Sequence, residues 1–207
     1  RILHAARFTI GLALVAALVA SVTGTSLALV AVTAGGWTDE ILSRFMDAFI
    51  SIPSKMLAMV MVAAFGSSAG LLILTAAMSY TPGAYRIARS LAVNVKTLEY
   101  VQAARARGER LPYIAWVEIL PNMVNPMLAD FGLRFVFVVL LLSGMSFLGL
   151  GVQEPMSSWG VLISQGAKNI PSANWLLFFP SFFLTSTLFA LNFVGDGLRD
   201  ALDPKDR

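Results

Sequence analysis

The 207-residue chain has no cysteine, a single histidine (His4) and few charges, with Asp, Glu, Lys and Arg together making up 13% of it. The first absence excludes disulfides, thiol catalysis and cysteine metal sites. With His4 alone there is no HExxH helix, and no paired catalytic aspartate motif is present, which leaves metallohydrolase and intramembrane-protease chemistry without residues and predicts no metal site. A GxxxxGK[ST] phosphate loop is also missing, so this chain does not itself bind nucleotide in the usual way. A net charge of +3 is too small to argue for nucleic-acid binding and is accounted for by membrane topology.

What the chain does have is apolar length. Hydrophobic residues make up 57% of it and the mean hydropathy is +0.74, far outside the usual soluble range. Runs over roughly 8–34, 41–65, 69–93, 124–150 and 173–195 are each long enough to cross ~30 Å of hydrocarbon, which takes about 20 residues. They are rich in Ala, Leu, Val and Met and lack the period-2 alternation of a β-barrel. The prediction is an all-α, polytopic transmembrane bundle forming one domain over 1–207, with no soluble domain between spans. Ala13, Ala17 and Ser21, and Ala16, Ala20, Gly24 and Ala28, recur at four-residue spacing on the first helix, a pattern that lets helix backbones approach closely.

Orientation follows from the cations. Arg86, Arg89, Lys96, Arg105, Arg107 and Arg110 flank or occupy the 94–121 loop, which places it in the cytoplasm. The 151–172 segment then lies outside, and the tail with Arg199, Lys205 and Arg207 returns to the cytoplasm. Parity puts Arg1 outside, yet the chain opens on a basic Arg1, His4 and Arg7 without an initiating Met, and the expectation is that an earlier span is missing. Segment 8–34 is too long for a signal peptide and lacks a cleavage pattern.

Ionisable residues inside apolar runs cost at least ~2.5 kcal/mol each near the bilayer centre unless they face a cavity or a partner. Asp47 and Lys55 share broadly one face of the second span with Pro53 between them, and Asp130 and Arg134 form an i, i+4 pair on the fourth. These four, with Tyr80, are the candidate pathway-lining residues. Mutual neutralisation and snorkelling are the plainer readings. Lys55, ~21 Å into a continuous helix at 1.5 Å per residue, is the strongest candidate for a water-filled route. Pro82, in Ser79-Tyr-Thr-Pro82-Gly83-Ala-Tyr85-Arg86, predicts a kink that either lines a pathway or marks a helix leaving the membrane.

The stretch Glu99-Tyr-Val-Gln-Ala-Ala-Arg-Ala-Arg-Gly108, followed by Ile119-Leu-Pro-Asn122, is a polar, basic, helix-forming island. Glu99, Ala103, Ala104 and Gly108 fall near one another at helical spacing, which predicts a surface helix over about 97–111 with a small-residue patch framed by charge. A solvated positive-inside loop would explain the Arg residues but not that patch. Pro121 marks re-entry into the membrane.

Here the sequence resembles the inner-membrane permease subunits of binding-protein-dependent ABC importers, in the branch that handles di- and oligopeptides, nickel and related solutes. That family's cytoplasmic signature, Glu-Ala-Ala, three residues, Gly and later Leu-Pro, reads here Gln102-Ala103-Ala104, Gly108 and Leu120-Pro121, with Glu99-Tyr100 before it also typical. Ser146-Phe-Leu-Gly-Leu-Gly-Val-Gln-Glu-Pro155 with Ser158-Trp159-Gly160, the ending from Leu191 to Pro204, and Arg1-Ile-Leu-His-Ala-Ala-Arg7 extend the likeness across the chain. The resemblance implies a coupling helix made by Glu99, Tyr100, Gln102, Ala103, Ala104, Arg105, Arg107 and Gly108 with Leu120 and Pro121, docking on an ATPase subunit. It implies six spans in the family, a second related permease, two ATP-binding subunits that carry ATP and Mg, and an extracytoplasmic solute-binding protein. That protein would dock on the outer segment of about 153–172 through Gln153, Glu154, Pro155 and Trp159, with Trp159 and Trp175 at interfacial depth. Two departures matter: Gln102 replaces the signature Glu and removes its charge, and Leu142 stands where members often have an acid, so cation handling there is unsupported. The expected activity is import of peptides, favoured over nickel because no His or carboxylate cluster suits a metal. An ion-gradient transporter using Asp47, Asp130, Lys55 and Arg134 as a relay, and a membrane scaffold binding a cytoplasmic protein through its Arg-rich loop, are the competing readings.

Overall fold

The computed structural model describes residues 1–152, 156–170 and 174–202, and among them the chain is helical with turns between. Helix α1 (Ile2–Ala34) runs the length of the bundle. It is followed by α2 (Gly36–Ile50), α3 (Ser54–Phe65) and α4 (Ala69–Lys96), then the short α5 (Glu99–Ala106). A mixed helical run from Leu111 to Asn122 leads into α7 (Val124–Phe147); it comprises α6 (Leu111–Tyr113), a π-helical stretch over Ile114–Ile119 and a 3₁₀ turn over Leu120–Asn122. Helices α8 (Trp159–Lys168) and α9 (Trp175–Leu202) complete the fold.

The small-residue stripes of α1 are the seam of the bundle. Ala13, Ala16, Ala17, Ala20 and Ala28 are all 0% exposed. A methyl group on Gly24 would lie 2.6 Å from Ala84 Cβ and 2.8 Å from both the Thr81 carbonyl oxygen and the Tyr85 nitrogen of α4. In hydrocarbon no hydrophobic force drives helices together, so such backbone proximity carries much of the packing. Helices α7 and α9 use the same device, where a methyl on Gly132 would come within 3.2 Å of Gly195 Cα. On α8, a methyl at Gly160 would overlap the Ser143 carbonyl of α7, and one at Gly166 would meet the Leu176 backbone of α9 at 2.6 Å. Helix α8 is thereby wedged between its two neighbours.

The second apolar run differs from the single span expected over 41–65. Helices α2 and α3 are bent by 82° at the break. The cause is local: Pro53 donates no N–H and disfavours helical backbone at Ile52, so α2 stops at Ile50 and α3 begins afresh behind an extended Pro53 (φ −56, ψ 125). Three described helices (α1, α7 and α9 to Gly197) are long and apolar enough to cross a membrane, or four if the bent pair counts as one span. Helix α4 is long enough at 28 residues but carries Arg86, Arg89 and Lys96 in its second half.

The ends of α1 anchor the two ends of the bundle. At its start, Trp159 Nε1 donates to the Ile2 carbonyl and the Trp159 amide to Thr9 Oγ1, both at 3.2 Å. At its finish, Lys96 Nζ donates to the Val32 carbonyl at 2.5 Å and Arg105 Nη2 to the Thr33 carbonyl at 3.1 Å. These cations meet carbonyls that the end of a helix leaves without intrahelical donors.

Replacing Gly24 with Ala forces α1 and α4 apart and is expected to cost about 1–3 kcal/mol, as overpacking does. Gly11→Ala is the control, since nothing lies within 4 Å of its added methyl. Denaturation of the two variants in detergent checks this; equal stability would show that the seam tolerates separation.

Candidate functional site

Helix α5 lies on the end of the bundle that carries the basic loop. Val101 and Ala104, one turn apart, are 0% exposed and pin it inward. Glu99, Gln102, Ala103, Arg105, Arg107 and Gly108 are exposed. The expected patch therefore divides: Ala104 joins the inner stripe, while Glu99, Ala103 and Gly108 face out. Gln102 turns its amide back on its own segment, with Nε2 donating to the Thr97 carbonyl at 3.0 Å.

Gly108 has a local reason to be glycine. Its φ is +81, its amide bonds the Arg105 carbonyl at 3.0 Å, and the Glu109 amide bonds the Ala104 carbonyl at 3.2 Å. That pair of bonds is the Schellman cap of a helix end, which favours glycine in the left-handed region. Beyond the cap the space is open, with nothing within 4 Å of an added methyl.

Beside α5 the chain returns through the run Leu111–Asn122. Ile114, Ala115 and Ile119 are buried, while Tyr113, Trp116 and Val117 are exposed at 41%, 49% and 52%. Glu118 sits beside α5, 3.7 Å from Arg107. Partial burial, helped by the Glu118 carboxylate, raises the Tyr100 phenol above its ordinary pKa. Leu120 is half-buried and Pro121 exposed in the 3₁₀ turn that precedes α7. The surface thus offers a partner a capped helix, several exposed aromatics and Arg side chains.

A second group of charges lies along the helices. Arg134 and Asp130 form a buried pair at 2.6 Å, with side chains only 7% and 12% exposed. Arg134 Nη1 also donates to the Tyr80 carbonyl at 2.9 Å, and the Tyr80 hydroxyl donates to the Phe137 carbonyl at 3.1 Å. Arg134 meets α4 beside Pro82, the residue that withholds a backbone N–H, and Gly83 leaves room for it: a methyl there would be 3.0 Å from Nη1. Neutralisation within the bundle is what the fourth-span pair does, so Arg134 and Asp130 serve as a clamp between α7 and α4.

Asp47 pairs with Arg86 of α4 at 2.7 Å rather than lying near Lys55. Lys55 is the second residue of α3, exposed, beside a cavity of about 210 Å³ lined by Met59, Leu141, Met145 and Leu148. Because the helix breaks at Pro53, Lys55 stands in the first turn of α3 and not deep in one continuous span. Trp159, expected at interfacial depth on a docking surface, is 1% exposed and held by α1, so its indole anchors the fold. Gln153, Glu154 and Pro155 lie outside the described residues. Asp39, which no sequence pattern singles out, accepts from both Nε (2.6 Å) and Nη2 (2.7 Å) of Arg89 through its carboxylate. Nor does a pattern mark Lys96 and Arg105 as caps of α1. These contacts join residues 50 or more positions apart, and no local spacing announces them.

Residues 20–207 match the family described as binding-protein-dependent transport system inner membrane component. The chain is a member of this family. It is 42% identical over 173 residues to the oligopeptide transport system permease protein OppC of Haemophilus influenzae, covering 84% of this chain and 56% of that protein. It is 36% identical over 205 residues to the dipeptide transport system permease protein DppC of Alkalihalophilus pseudofirmus, covering 99% of this chain and 67% of that protein. A glutathione transport system permease protein of Pectobacterium atrosepticum is 34% identical over 99% of this chain. The chain thus spans little more than half the length of the OppC relative. Its fold matches a chain of the MetNI methionine ABC transporter, solved in inward-facing conformations, with a TM-score of 0.77 over 95% of this chain and 93% of that one at 16% identity.

Arg134→Met strands the Asp130 carboxylate in the bundle, and breaking such a buried pair costs about 3–5 kcal/mol. The double variant Asp130→Leu, Arg134→Met removes both charges and is expected to recover most of that loss. Unfolding of the three proteins in detergent tests the clamp; a double variant as unstable as the single would show that Arg134 acts through Tyr80 alone.

Proposed function

We propose that this chain forms half of the translocation pathway of an ATP-driven importer for peptides, completed by a second permease subunit. Two ATP-binding subunits carry ATP and Mg, and an extracytoplasmic solute-binding protein delivers cargo. The observation that carries the reading is α5: a capped surface helix whose inner face is buried, whose outer face is open at Gly108, and which is tied by Arg105 to the end of α1.

In this reading the ATPase subunit seats α5 in a cleft. When ATP binding closes the two ATPase subunits, α5 follows. Arg105 and Lys96 pass the displacement to α1 through the Thr33 and Val32 carbonyls, and the α1–α4 seam passes it to the charged positions on α4. The bundle then opens outward to receive cargo. With Asp47 engaged by Arg86 and Asp130 by Arg134, neither carboxylate stands as an isolated proton site, which argues against an ion-gradient relay.

Gly108→Trp places a bulky side chain in the open space where the partner would sit, while Gly108→Asn keeps a residue that tolerates left-handed backbone. In the reconstituted transporter, Gly108→Trp is expected to abolish uptake while ATP hydrolysis continues, and Gly108→Asn to retain partial uptake. Normal uptake by the Trp variant would overturn the coupling role of this surface.

A further inference from the structure

Between α2 and α4 lies a cavity of about 440 Å³ whose polar lining includes Ser43, Asp47, Tyr85, Arg86, Arg89 and Asn94. The volume falls within the range of small-molecule sites, roughly 300–1,000 Å³. Its charges are held in two different ways. Arg89 is gripped by Asp39 through two hydrogen bonds of 2.6 and 2.7 Å, a fork-to-carboxylate arrangement that fixes it. Arg86 and Asp47 meet through one contact only, Nη2 to Oδ1 at 2.7 Å, and their side chains remain 62% and 54% exposed. Ser43 Oγ of α2 and the Tyr85 hydroxyl of α4 stand 2.9 Å apart beside the cavity and share a hydrogen bond across it.

The position of the pair matters as much as its chemistry. Arg86 lies about 15 Å along α4 from the helix end at Lys96, at about 1.5 Å rise per residue. Arg134 lies about the same distance from the start of α7 at Val124. Arg134 reaches α4 at the Tyr80 carbonyl, about 9 Å further from Lys96 along that helix than Arg86, and is buried with its carboxylate, whereas Arg86 and Asp47 are open. An exposed ion pair facing acyl chains is costly, so this open pair suits a face of α2 and α4 turned to water or to a polar ligand.

We propose that this cavity is a cargo-contact site for a zwitterionic solute, in which Asp47 takes a terminal ammonium and Arg86 a terminal carboxylate. The proposal rests on the importer reading and adds the groups that touch the cargo. On arrival the Asp47–Arg86 contact opens and each partner exchanges one charged neighbour for another, so no charge is left uncompensated. Arg89, locked to Asp39, holds the wall in place. The site recognises the two termini of a short peptide and makes few demands on its side chains.

The test uses the assembled transporter in nanodiscs without its solute-binding protein, so that selectivity of that protein does not intervene. Binding of radiolabelled Ala-Phe is competed with unlabelled Ala-Phe, its N-acetyl form and its C-terminal amide. In the unmodified assembly each blocked form is expected to compete about tenfold or more weakly, the worth of one charge-assisted hydrogen bond. Asp47→Asn is expected to bind Ala-Phe more weakly and to stop discriminating against the N-acetyl form, and Arg86→Gln to stop discriminating against the amide. Asp47→Glu and Arg86→Lys keep the charges and should restore most of the discrimination. Thermal melts matching the unmodified assembly confirm folding, as an exposed pair contributes little to stability. Absence of Ala-Phe binding, or the same competition order in every variant, would overturn the site. ATP-dependent uptake of Ala-Phe with the binding protein restored separates the two levels: if it persists, the importer reading stands and the site alone has failed, and if it is absent, the importer reading has failed as well.

Discussion

Close contact between α1 and α4 is the constraint on which the rest of the bundle depends. Gly24 lets the two backbones meet at Thr81 and Tyr85, with the alanines of α1 continuing the seam on either side. Because the surrounding hydrocarbon is as apolar as the side chains, association relies on van der Waals fit and on polar contacts made where backbones are near. Once α4 is fixed against α1, its carbonyl at Tyr80 is in place for Arg134 and its terminal Lys96 reaches the end of α1.

The charges of α4 and α7 show how position decides role. Arg134 is buried, and there a guanidinium is tolerable only because Asp130 and the Tyr80 carbonyl occupy its donors. Arg86 and Arg89 pair with carboxylates of α2, one through a single contact and one through a fork. The fork restricts Arg89 to one geometry, while the single contact leaves Arg86 free to change partners. Asp39, Asp47, Arg86, Arg89 and Arg134 each tie one helix of the bundle to another.

Much of the architecture was legible in the sequence. Apolar runs located α1, α7 and α9, the four-residue stripes marked the buried face of α1, and the spacing of Glu99, Ala103, Ala104 and Gly108 marked a surface helix, which spans Glu99–Ala106 and not 97–111 and turns Ala104 inward. The break between α2 and α3 was signalled by Pro53, but a continuous hydropathy run masked it, since a window average does not register one missing N–H. Misplacing that break made Lys55 look deep. Trp159 misled for the opposite reason: an indole near a span end fits an interface, yet its N–H found the Ile2 carbonyl across the whole chain. Pairings such as Asp39 with Arg89 depend on where helices come to rest and leave no periodic trace.

One helix connects the two ends. Helix α1 is 33 residues long, about 50 Å at about 1.5 Å per residue, and it is held at its start by Trp159 and at its finish by Lys96 and Arg105. A helix held only through its own side chains can shift along its axis more easily than one whose main chain is bonded. Grips on the main chain at both ends resist this: at the finish Lys96 and Arg105 donate to the Val32 and Thr33 carbonyls, which the helix end leaves without intrahelical donors, and at the start the Trp159 indole adds a donor to the Ile2 carbonyl. In the proposed mechanism, α1 is the element that would carry a movement of α5 to the packing of α8. Between those ends the seam carries it into α4, whose Arg86 faces the cavity beside α2. The same backbone proximity that holds the bundle together makes its two ends mechanically one object.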